Sequence, residues 1–328
     1  MVKIGIIGTG GMGRYHANIL KKMNDVKIVS ACDVNIDSLN SFKNEFGIEE
    51  IYTDFKELLK KSDVDAIICA TPTHLHYEIV VKAAKSKKHI FCEKPIAINL
   101  RQAEKMIEEC EKNNVIFQIG YVRRFDEEWL KFKELMDKKI IGRPVIWQQI
   151  WGGSGPSSDW FYDIKKGMGP FVDGAVHSYD FAIYTFGKVK KVKSSLLKFK
   201  KFTSPDTGVV SVEFEGGDIL VLCWSWGLPK NVSSQYLHQA LGPEGVLIFA
   251  GYQDEKEKYF VVRKEKGEEK IGPIPLNSLV IGFEKQMSHF IECIKDNKKP
   301  IVSGIDGYES LKVALQVIKN WFTRSDLV

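Results

Sequence analysis

The stretch VKIGIIGTGGMGRYHANIL, residues 2–20, decides how the first part of the chain is read. A run of strand-forming apolar residues ends at Gly8, and the turn Gly8-Thr9-Gly10-Gly11-Met12-Gly13, of the form GxGxxG, opens a helical pattern. At that spacing Gly8 permits a tight turn, Gly10 lets backbone approach a pyrophosphate, and Gly13 lets the helix pack closely on the strand. The unpaired N–H groups of the helix start, at Gly11 and Met12, then face the anion. The next apolar run, VKIVSACD, closes at Asp33, where a carboxylate accepts from both hydroxyls of an adenosine ribose. A carboxylate there also opposes a 2′-phosphate, and Val34, Asn35 and Ile36 add no cation to offset it, so NAD is expected over NADP.

Working outward, the β-then-α alternation continues through VDAIICATP, a helix over about 74–85, HIFCEKP, a helix over about 100–113, and VIFQIGY. Near-continuous apolar strands between helices predict a doubly wound parallel sheet, a Rossmann domain over residues 1–122. Beyond it the texture changes. One helix over about 126–138 and the strand GRPVIWQQIWGG precede a Gly-rich loop and a helix from about Asp173 to Phe186. Strands then dominate, with VVSVEFEGGDILVLCWSW reading as a hairpin around Gly216-Gly217, and two helices close the chain. Residues 123–328 are therefore expected to form an α+β domain built on a mainly antiparallel sheet.

The 328 residues suit about two domains. With 44% hydrophobic and 27% charged residues the chain has neither a disordered nor a fibrous composition. A net charge of +5 demands neither nucleic acid nor an anionic membrane, and the Lys-rich stretch 188–202 reads as a solvated strand face. The six cysteines contain no CxxC pair, and His74 and His76 have no ligand cluster beside them, so no metal site is expected. With apolar sequence starting at the second residue and no apolar run of membrane-spanning length, a cytoplasmic protein is expected.

Two further segments carry chemistry. Glu93-Lys94-Pro95 follows the strand HIFC, at the sheet edge where open α/β sheets hold ligands. In GMGPFVDGAVHSYD, Asp173 and His177 are four apart on the opening turn of a helix and share one face. A neutral imidazole suits removal of a hydroxyl proton near neutral pH, and an ammonium suits stabilisation of the developing alkoxide.

These segments, with TPTHLHYE, YVRRFD, WFYD and FEKQMSHFIECIKDNKKPIVSGIDG, resemble the glucose–fructose oxidoreductase and inositol dehydrogenase group, the Gfo/Idh/MocA family, over nearly the whole chain. The resemblance implies that the antiparallel sheet of residues 123–328 is open-faced, that this domain binds substrate and mediates oligomerisation, that Lys94, Asp173 and His177 form the catalytic group, and that Lys94-Pro95 is a cis peptide. It implies that Thr71, Pro72, Glu93 and Lys94 adjoin the cofactor, that His76 is structural or cofactor-adjacent, and that Arg123, with Asp173 and His177, faces the substrate; Trp160, in the Gly/Ser-rich loop before the catalytic segment, and His238, on an expected strand, are the candidate pocket aromatics. The function expected is oxidation of a secondary alcohol of a cyclitol or sugar by an NAD-dependent dehydrogenase that assembles as a homodimer or homotetramer. An NAD-recycling glycoside-cleaving enzyme of the same family and a non-catalytic NAD sensor are the alternatives.

Overall fold

The computed structural model describes residues 1–253 and 256–325. The chain divides into two compact units, Met1–Val122 with Phe283–Leu311, and Arg123–Gly282 with the segment from Lys312 on.

In the first unit six parallel strands take the order β3-β2-β1-β4-β5-β6. They are β1 (Val2–Ile7), β2 (Val26–Cys32), β3 (Glu50–Tyr52), β4 (Ala66–Cys69), β5 (His89–Cys92) and β6 (Phe117–Ile119). The helices between them are α1 (Gly11–Leu20), α2 (Ile36–Phe46), α3 (Phe55–Lys61), α4 (Thr73–Lys85) and α5 (Leu100–Lys112). The strands β1 and β4 are buried almost throughout, as strands covered on both faces must be. The sheet order reverses between β1 and β4, so the ends of these strands, at Gly8 and Ala70, flank the crevice in which doubly wound sheets bind ligands.

The sequence reading placed everything past residue 122 in a second domain, yet Phe283–Leu311 belongs to the first unit. The cause is the apolar stripe of α8 (Ser278–Asp296): Met287, Phe290, Ile291 and Cys293 are buried in the same cluster as Ile4, Ile6 and Phe91. Phe290 meets Phe91 edge-on at 5.8 Å, and Phe283 meets Tyr15 at 4.8 Å. The start of α9 (Gly304–Ser325) packs so closely that a Cβ at Gly307 would lie 3.0 Å from Ile96.

The second unit contains α6 (Glu127–Asp137), β7 (Ile146–Gly152) and α7 (Val176–Phe186), followed by β8 (Val189–Leu197), β9 (Thr207–Phe214) and β10 (Ile219–Ser225). Four more strands follow: β11 (Leu237–Gly242), β12 (Gly245–Gln253), β13 (Glu257–Lys264) and β14 (Gly267–Pro275). The eight-stranded sheet has the order β14-β13-β12-β11-β7-β10-β9-β8, antiparallel except for the β7–β10 pair. Alternation sets its two faces. Val210, Val212 and Phe214 of β9, with Leu220 and Leu222 of β10, point into a core shared with Trp129, Phe132 and Phe181 from α6 and α7. On the opposite parity Leu197 and Val209 are exposed, and Trp151 and Trp224 form a half-buried pair at 5.2 Å. The Lys-rich segment is the edge strand β8, where exposed lysines discourage pairing with another chain. No helix among the described residues is long and apolar enough to cross a membrane.

Candidate functional site

The glycine loop sits at the C-terminal end of β1. Gly8 has φ +97°, and a Cβ there would lie 2.5 Å from the Ala70 carbonyl oxygen. A Cβ on Gly13 would overlap the Gly8 carbonyl oxygen. These two glycines are thus required by the loop itself. At Gly10 and Gly11 a Cβ would meet nothing within 4 Å, and α1 starts at Gly11 with no side-chain cap. Open space above uncapped N–H groups is what a pyrophosphate needs. Met12 is exposed on the same turn.

Asp33 is more occupied than the sequence reading expected. Its Oδ2 accepts from the Thr9 amide at 2.7 Å and the Thr9 hydroxyl at 3.0 Å, and its Oδ1 accepts from the Asn35 amide at 2.9 Å. The carboxylate therefore fixes the glycine loop to the end of β2, and a carboxylate's remaining lone pairs can still accept from a ribose. The N-cap of α2 is Asn35, which accepts from the Ser38 amide, so Asp33 is free of that task. Val34 is 87% exposed and adds no charge beside it.

His76 and Glu93 tie down the loops that follow β4 and β5. His76 is fully buried, with Nε2 2.9 Å from the Thr71 carbonyl oxygen and Nδ1 2.9 Å from that of Pro95. It fastens the loop after β4 to the loop after β5. Glu93 is buried with Oε1 2.6 Å from Nε2 of buried His16, while its Oε2 accepts from the Lys94 amide at 3.2 Å. Burial is the largest influence on the Glu93 carboxyl and would raise it, but the His16 hydrogen bond and charge, with the Lys94 charge and amide, together outweigh it and hold the group below the usual carboxylate range. Lys94 follows directly and is partly exposed, with Lys94-Pro95 cis. Thr71 and Pro72, at the N-terminus of α4, are also partly exposed.

In the second unit Asp173 belongs to a π-helical turn, Pro170–Gly174, and α7 proper starts at Val176, so the helix expected from Asp173 begins later. Met168 and Gly169 precede the turn with φ of 65° and 79°, and Gly174 packs so tightly that a Cβ would lie 2.8 Å from the Trp226 ring. Asp173 is buried and His177 is partly exposed one turn on. Irregular turns of this kind re-aim side chains at functional positions.

The adjacent arginines separate in role. Arg124 is buried and pairs bidentately with Asp180, at 2.6 and 3.0 Å. Arg123 stacks over Trp129 at 3.9 Å and donates to the Ser178 hydroxyl at 3.0 Å, next to His177. Ser178 in turn donates to Gln149 Oε1 at 2.7 Å. Burial brings Arg123 down to about 10, still a cation at neutral pH. Ser178 and Gln149 are not marked by any motif; their polar positions, next to His177 and midway along an aromatic strand, are the one signal the sequence carries for them.

His238 is not at a surface. It faces inward on β11 opposite Gln149, stacked on Phe249 at 3.3 Å, with Nε2 accepting from the Trp147 indole at 2.8 Å and Nδ1 3.0 Å from the Tyr236 hydroxyl. Burial, then the Arg123 charge, push it far below its ordinary value, so it is a neutral core residue. Trp160 is partly exposed on the turn Asp159–Tyr162 and stacks on Phe161 at 3.8 Å.

A doubly wound sheet with an open glycine loop and a carboxylate at the end of its second strand defines a dinucleotide-binding protein. Residues 2–121 match the model of the oxidoreductase family with an NAD-binding Rossmann fold, and residues 129–247 match that of the GFO/IDH/MocA C-terminal domain. The chain belongs to the GFO/IDH/MocA family and its cofactor is NAD. It is 32% identical to a myo-inositol 2-dehydrogenase of Thermotoga maritima, over 94% of this chain and 93% of that one. It is 28% identical to a scyllo-inositol 2-dehydrogenase (NAD(+)) of Bacillus subtilis, over 96% and 92%. Among solved structures, a probable dehydrogenase from Thermotoga maritima is similar with a TM-score of 0.80 and 29% identity, covering 98% of this chain and 97% of that one.

Proposed function

We propose that this protein oxidises a secondary alcohol of a cyclitol or sugar by hydride transfer to NAD. The observation that carries the reading is the likeness to two inositol dehydrogenases, which runs through both units. The glycine loop and Asp33 would hold NAD, which when bound supplies the hydride acceptor. The chain's own residues handle the hydroxyl. His177 takes its proton as general base. The Lys94 ammonium hydrogen-bonds the same oxygen and stabilises the alkoxide that develops, an effect of about 3 kcal/mol per donor in other enzymes. Asp173 orients the hydroxyl or the ammonium.

Arg123 is the candidate for substrate hydroxyls, because Arg124 is already spent on Asp180 while Arg123 donates to the neutral Ser178 hydroxyl and lies over the Trp129 face. Trp160 is the candidate aromatic for a sugar's C–H face. The exposed apolar parity of the sheet, with Leu197 and Val209, supports assembly with further copies of the chain. The six unbridged cysteines suit the reducing cytoplasm.

A panel of cyclitols and sugars assayed with NAD tests the proposal. Accumulation of NADH with at least one cyclitol or sugar is expected. Release of an aglycone without net NADH would instead establish the cofactor-recycling cleavage, and no turnover on any member would refute both.

A further inference from the structure

The first unit holds a buried chemical grouping that alcohol oxidation does not use. Cys69 ends β4 and Cys92 ends β5; they are register partners on adjacent strands, and both are fully buried. Their sulfurs and a ring nitrogen of His76 all lie within 4.8 Å of one another. His76 faces carbonyl oxygens at both nitrogens, and both contacts are satisfied only when each nitrogen carries hydrogen. A ring protonated at both nitrogens would donate to both carbonyls, and a thiolate beside it would balance that charge inside the protein. Burial would raise the Cys69 thiol, but a hydrogen bond from Cys92 and the His76 charge bring it down, whereas Cys92 is pushed up and keeps its proton. A soft metal ion also suits two sulfurs and an imidazole, but here both imidazole nitrogens are committed to backbone.

We propose that Cys69 and Cys92 form an oxidisable pair, with Cys69 attacking a hydroperoxide and Cys92 closing the disulfide. With hydrogen peroxide, the Cys69 thiolate attacks one oxygen, the O–O bond breaks, and Cys69 becomes a sulfenic acid while the hydroxide released takes a proton from His76 as water. Cys92, losing its proton to the departing oxygen, attacks the Cys69 sulfur; the S–S bond forms, the S–O bond breaks and a second water leaves. The two sulfurs lose two electrons and the peroxide gains them. His76 is left neutral and can donate to only one of the Thr71 and Pro95 carbonyls, so oxidation loosens the tie between the two loops. The loop after β4 is the way in for the oxidant: Thr71, whose hydroxyl is 3.6 Å from the Cys69 sulfur, is partly exposed.

The test is peroxide treatment of the full chain, followed by thiol titration in denaturant and peptide mapping by mass spectrometry. Expected are loss of two of the six titratable thiols, a Cys69–Cys92 linked peptide, and recovery of both thiols with dithiothreitol. The link should vanish in Cys92→Ser and persist in Cys110→Ser, a control chosen because the Cys110 thiol is close enough to influence Cys92. In His76→Gln, which cannot supply the cation, disulfide formation at equal peroxide should slow about tenfold or more. Six intact thiols after treatment, a Cys92–Cys110 link, or an unchanged rate in His76→Gln would overturn the proposal. The readout needs no substrate, so it stands or fails independently of the dehydrogenase reading.

Discussion

Substituting alanine at Gly10 and, separately, at Gly13 separates the glycine that serves the cofactor from one that serves the fold. At Gly10 the backbone has φ −72° and ψ −163°, an extended conformation open to any residue, and a Cβ would meet nothing within 4 Å. Gly10→Ala should therefore fold normally, with a gain of about 0.4–1 kcal/mol from a less flexible unfolded chain. Its methyl group, however, occupies the space through which a pyrophosphate approaches the helix start. Overpacking of one methyl costs about 1–3 kcal/mol, and at about 1.4 kcal/mol per tenfold the NAD dissociation constant should rise roughly 5- to 150-fold. Gly13→Ala meets the Gly8 carbonyl oxygen within the fold itself, and relief requires moving β1 or α1. Thermal or urea unfolding should show Gly10→Ala at or above the wild-type midpoint and Gly13→Ala well below it, and calorimetric titration with NAD should show the affinity loss in Gly10→Ala. Wild-type NAD affinity in Gly10→Ala, with its fold intact, would refute the placement of the pyrophosphate on this loop.

In Lys94→Ala and His177→Ala, turnover should fall below detection while NAD still binds within about threefold of wild type; residual turnover above about one tenth removes that residue from the chemistry. Arg124→Ala strands the Asp180 carboxylate in the core and should destabilise the second unit by about 3–5 kcal/mol, measured by urea unfolding, whereas Arg123→Ala should spare the fold and raise the substrate KM. Glu93 contributes to stability above the unfolded carboxylate range, and that contribution is lost as pH falls through its depressed folded value. Wild type should accordingly lose more stability below about pH 4.5 than Glu93→Gln does, and parallel acid limbs in the two unfolding series would contradict the His16–Glu93 pairing.

What could be read from the sequence was whatever a local rule fixes. The glycine spacing, the buried runs of β1 and β4 and the β9–β10 hairpin follow from turn sterics and from which faces water can reach, and all appear in the fold. The short strand Glu50–Tyr52 and the helix Phe55–Lys61 were not anticipated, because three residues at a sheet edge and seven residues of helix carry too few periods to show a pattern. The start of α7 was misjudged because an Asp four residues before a His reads as one regular turn, while Gly169 and Gly174, pressed against Ser204 and Trp226, produce a π-helical turn instead.

The site residues divide along the same line. A side chain's burial depends on strand register and on partners far away in sequence, so the sequence leaves His76 between a structural and a cofactor-adjacent role, and the ties that His76 and Glu93 make to Pro95 and His16 are visible only in the fold. His238 looked like a pocket residue until the β7–β11 register turned it inward opposite Gln149. The two arginines were indistinguishable as neighbours in YVRRFD, and only Asp180, 56 positions on from Arg124, tells them apart. Sequence supplies the chemistry available at a position; the register and packing decide whether that chemistry faces a ligand or holds the frame.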